Sequence, residues 1–77
     1  MYRTSDLYFA AYLRVAEVPL VGIEREGKRA FFVFSDPGDN TIRELKDQYF
    51  MDQAKVRALS YSQAVKAMKA LIYSGMP

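Results

Sequence analysis

Seventy-seven residues, about half of them apolar or aromatic, carry a net charge of +2 and include neither cysteine nor histidine. That length allows at most one domain, spanning 1–77, and a domain so small buries only about 60 % of the surface its unfolded chain exposes. With no thiol or imidazole, disulfides, thiolate or imidazole metal sites and the commonest general base are all excluded, so no enzyme, cofactor or metal centre is expected.

No apolar run approaches the length needed to span a bilayer, and the start "MYRTSDLYFAAYLRVAEV" carries charges inside its apolar stretch and lacks a small-residue cleavage site. The expectation is a soluble, unexported, cytoplasmic protein without membrane contact. Charge is unevenly spread along the chain. Residues 1–52 hold seven Lys or Arg and all nine Asp or Glu, a net −2, whereas residues 53–77 hold Lys55, Arg57, Lys66 and Lys69 and no acid. The last third is therefore the basic end.

In chain order, Thr4 or Ser5 is read as the cap of a first helix, with Asp6 placed in the first turn where a negative charge suits the helix dipole. Leu7 to Val18 is apolar on nearly every side, with a polar stripe traced by Asp6, Arg14 and Glu17 and joined by Ala10. Such a helix is sandwiched between layers, or it presents a second face to another chain. Pro19 ends it. Two strands follow, "LVGIERE" and "KRAFFVFS", joined through Gly27 at a turn that favours positive φ, which predicts an antiparallel hairpin.

The turn formers "SDPGDNT" lead to a second helix that Thr41 and Glu44 open as a capping box. It runs to about Met51 and turns Ile42, Leu45 and Tyr49 inward, with Phe50 at the margin. Ala54 to Leu59 alternates small apolar with basic residues, which suits a short edge strand, or else an extended loop. Ser60 and Gln63 form another capping box for a last helix whose buried stripe is Ala64, Val65, Met68, Leu71 and Ile72, with Gly75 as its stop. The predicted fold is α+β in the order α-β-β-α-(β)-α, an antiparallel hairpin of two or three strands packed with helices.

Few residues invite a chemical role. The stretch "KRAFFVFSD" has the flavour of an RNA-reading strand, yet the pattern needs aromatics two apart on one exposed face. Here Phe32 and Phe34 share one face while Phe31 and Val33 share the other, as in a strand covered on both sides. Asp36, Asp39 and Asn40 lack the register of a calcium loop and read as turn and cap residues. Glu24 and Glu26, near Arg25 and Lys28, suit cross-hairpin pairing better than acid–base work. The stronger surface is basic: Lys55, Arg57, Lys66 and Lys69, with Tyr73 and the Ser62 hydroxyl, converge on phosphate if the extended segment and the last helix lie side by side. A solubilising basic face is the plainer alternative. No helix-turn-helix is recognisable.

Taken together, "TSDLYFAAYL", "GIERE", "FVF" and "ALSYSQAVKAMKALIYS" resemble a family of small uncharacterised bacterial and phage proteins, a domain of unknown function. That resemblance implies no activity, cofactor or catalytic residue; it implies a bacterial or mobile-element setting. The functional expectation is a non-enzymatic module that binds nucleic acid, such as DNA, through the basic C-terminal region. The alternative is a protein-interaction or self-associating module, binding a protein partner or a second copy through Tyr8 and Tyr12 on the first helix.

Overall fold

The computed structural model describes residues 1–73, and Gly75, the expected stop of the last helix, lies outside them. The elements are β1 (Tyr2–Thr4), α1 (Leu7–Val15), β2 (Leu20–Glu26), β3 (Arg29–Phe34), α2 (Thr41–Phe50) and α3 (Ala58–Tyr73). The protein is an α+β domain: three helices and a three-stranded antiparallel sheet in the order β1-β3-β2.

The expected hairpin is present, with Glu26 opposite Arg29 and Gly27 at φ +59°. The third strand corrects the reading of the sequence. It is β1, which pairs Tyr2 with Phe34 and Thr4 with Phe32, and not the segment from Ala54, which is irregular up to the start of α3. Three residues show too little alternation to stand out as a strand; β1 exists because the free edge of β3 is beside it.

Period-2 alternation explains the core. Tyr2, Thr4, Ile23, Phe32 and Phe34 point to the helical side, and Phe32 and Phe34 are fully buried against Phe9, Leu13 and Met68. Each such Phe contributes about 1.5–3 kcal/mol by leaving water. The helices lie on this face; on the other, Val33 is 5 % exposed and Phe31 partly buried, so β3 is shielded on both faces, the outer one by side chains in place of a second layer. On the other face Arg3 reaches from β1 across Phe31 of β3, its guanidinium carbon 4.5 Å from the ring centroid. Beyond that ring it pairs with Glu24 at 2.8 Å and Glu26 at 3.1 Å on β2. Those carboxylates therefore answer Arg3 instead of Arg25 or Lys28. Arg29 lies 5.1 Å from the same ring, so Phe31 is occupied and offers no open platform for a base.

Sandwiching is what the apolar α1 required. It packs along α3, with α2 and β1 at its other sides, and five successive residues, Phe9 to Leu13, are buried. Ala10 is fully buried too, so the polar stripe drawn through it does not exist. The cap is Asp6, whose Oδ1 accepts from the backbone N–H of Tyr8 and Phe9, both at 3.0 Å; Thr4 instead accepts from the Asp6 N–H.

This helix ends at Val15, four positions before Pro19. Val18 N–H donates to Leu13 C=O and Glu17 N–H to Arg14 C=O, both at 3.0 Å, with Glu17 at φ 66°, which is the Schellman arrangement. The end of α2 repeats it: Gln53 N–H donates to Gln48 C=O at 2.8 Å and Asp52 N–H to Tyr49 C=O at 3.3 Å, with Asp52 at φ 59°.

Neither capping box forms. Asn40, in left-handed geometry, is the cap of α2 and makes no side-chain capping bond. In α3 the Tyr61 N–H already donates to Arg57 C=O at 2.9 Å, so Ser60 lies inside the first turn.

A candidate nucleic-acid interface beside the third helix

Two bonds fix α3 in place. Near its start the Tyr61 hydroxyl donates to the Tyr8 carbonyl at 3.1 Å. At its far end Arg25 of β2 donates to the Ile72 carbonyl at 2.7 Å, a cation set against the negative end of the helix dipole. Between them the predicted stripe of Ala64, Val65, Met68, Leu71 and Ile72 turns toward the core. Its placement decides what the rest of the helix shows to solvent.

An open groove of about 700 Å³ runs along one flank of α3, where the irregular segment and the end of α1 approach it. Arg14, Lys55 and Arg57 stand in its lining with Ser60 and Gln63, above an apolar floor that includes Met68 and Leu71. No carboxylate among the described residues lines it. Among the described residues the side chains of Lys55 and Arg57 make no hydrogen bond or ion pair, and the Arg14 guanidinium donates only to the Val18 carbonyl at 3.3 Å. Three cations thus share one depression with most of their donors unused.

Lys66 and Lys69 are exposed but do not join that group. At about 100° per residue, Ser62, Lys66, Lys69 and Tyr73 cluster roughly half a turn around α3 from Ala64, Ala67 and Leu71 of the groove wall. The expected convergence of all four C-terminal cations is therefore corrected to two separate basic surfaces on opposite flanks of one helix. Tyr73, 82 % exposed, belongs to the second.

The sequence reading missed Arg14 as a groove residue. It stands about forty positions before Lys55, and only the packing of α1 on α3 joins them. Gln63, read as a capping residue, is a groove residue as well.

Of the two tyrosines named for a protein partner, only Tyr8 is available. Tyr12 is 5 % exposed and its hydroxyl donates to Gln48 Oε1 at 3.2 Å, so it belongs to the core; Tyr8 is 51 % exposed. Burial, with Tyr49, Asp6 and Tyr8 nearby, pushes the Tyr61 hydroxyl up to about 12, and burial raises Tyr2 as well. These phenols are proton-holding groups at neutral pH. No cluster of three or more metal-ligating His, Cys, Asp or Glu occurs among the described residues, nor a helix long and apolar enough to cross a membrane.

The chain belongs to the family described as Domain of unknown function (DUF5659), whose model matches residues 1–74. No curated protein and no solved structure matches it.

Proposed function

We propose that this protein is a small non-enzymatic nucleic-acid-binding module, an accessory protein of bacterial or mobile-element origin acting in the cytoplasm. Its phosphate contacts run through the groove lined by Arg14, Lys55 and Arg57. The observation behind this reading is the combination, among the described residues, of three cations and no carboxylate in one open depression. Cations placed merely for solubility are interspersed with acids; a phosphate-tracking surface excludes them. Arg14 and Arg57 offer planar forks suited to phosphate oxygens, and Lys55 adds a mobile point charge.

The test is the affinity of Lys55→Glu with Arg57→Glu for a fluorescein-labelled DNA of mixed sequence, single-stranded and duplex. Both side chains are exposed, so circular dichroism should be unchanged while affinity falls at least about tenfold. Equal affinity in the folded variant contradicts the reading. A second reading, capture of a protein partner through α1, now rests on Tyr8 alone; Tyr8→Arg would abolish that capture and leave DNA affinity unchanged.

A further inference from the structure

The two basic surfaces are separated by the solvent face of α3. Going around the helix from the groove, that face passes Ala67, Gln63, Ala70 and Leu59 and reaches Lys66 and Lys69, all of them exposed. Its middle is small or uncharged, its edges are basic, and no Asp or Glu occurs anywhere in the sixteen residues of α3.

We infer that α3 enters the major groove of B-form duplex DNA, with Arg14, Lys55 and Arg57 on one bounding phosphate backbone and Lys66 and Lys69 on the other. The inference rests on the proposed nucleic-acid reading and names its ligand. Dimensions favour it: an α-helix with side chains is about 10–12 Å across, and the major groove is about 12 Å wide. Ala67 and Ala70 allow close approach. Gln63 presents hydrogen-bonding groups toward base edges, and Leu59 an apolar contact of the kind that meets a thymine methyl; the Ser62 hydroxyl stands with Lys66 and Lys69 on the phosphate side. A single-stranded ligand is disfavoured because no aromatic among the described residues lines the groove for bases to stack on. Anchorage of α3 at both ends, through Tyr61 and Arg25, presents the helix as a preformed rod.

Duplex RNA separates this from simple charge attraction, because its A-form major groove is too deep and narrow to admit a helix. Anisotropy titrations would compare a mixed-sequence duplex DNA, the same sequence as duplex RNA, and its single strand. The expected result is at least about tenfold tighter binding of duplex DNA than of either competitor, lost on Ala70→Glu. Lys66→Ala with Lys69→Ala should flatten the salt dependence for duplex DNA by about two phosphate contacts. If all three nucleic acids bind alike, and Lys55→Glu with Arg57→Glu removes binding while Ala70→Glu does not, helix insertion is overturned and the groove reading stands. If none binds, both are overturned.

Discussion

Glu17 and Asp52 stand where glycine is the common choice. Each occupies the left-handed position that closes a Schellman motif, at φ 66° and 59°, a conformation that costs an L-residue about 1–2 kcal/mol. Glu17→Gly should therefore stabilise the protein, by about 0.5–1 kcal/mol after glycine's own entropic cost, read as a rise of a few degrees in Tm. Asp6→Ala should act oppositely, because two amide donors at the start of α1 lose their acceptor; about 1 kcal/mol is expected in chemical denaturation. Tyr61 gives a pH signature. Its folded pKa, about 12, lies above the ordinary 10, so the unfolded chain releases that proton first. The stabilisation is complete below pH 10 and lost as pH rises toward 12. Tyr61→Phe should flatten that alkaline decline in thermal melts, to the extent that Tyr2, shifted the same way, does not sustain it. None of these details was legible in the residues. Glycine marks a helix end and acids do not, so the residues point to Pro19 for the stop that Glu17 and Val18 make. Asp6, Thr4 and Ser5 are all good caps in isolation, and only local bonding distinguishes them.

Among the elements, the hairpin and the inward stripe of α3 could be read directly, because period 2 and period 3.6 are strong signals and Gly27 marks the turn. The apolar surplus of α1 likewise announced a helix closed in on several sides. What escaped depended on neighbours. β1 is a strand only because Phe32, Val33 and Phe34 offer it a partner edge, and the alternation of Ala54 to Leu59 came to nothing because that segment has no strand beside it. The outer sheet face looked apolar enough to need a second layer, yet one long side chain, Arg3, reaches over Phe31 and covers it. Energetically the inner face dominates. Phe32→Ala should cost about 3–5 kcal/mol, a large part of the roughly 4–12 kcal/mol available to a chain of this size. Its thermal transition should collapse or vanish in calorimetry, whereas Phe31→Ala, on the Arg3 side, should cost clearly less.

At the scale of the whole molecule, the basic character of the C-terminal third was evident from composition, but its arrangement was not. Four cations along 25 residues could gather on one face or divide, and packing of α3 on α1 divides them. Arg14 then completes the first group from the acidic first two-thirds of the chain. The measurement that bears most directly on this arrangement is the affinity for duplex DNA across a salt series. Three or more phosphate contacts predict that log K falls linearly with log salt, with a slope of about −3 or steeper, and that Lys55→Ala with Arg57→Ala flattens it by about 2. No binding at about 50 mM salt, or a slope indifferent to those two residues, would contradict the assignment of the groove to nucleic acid.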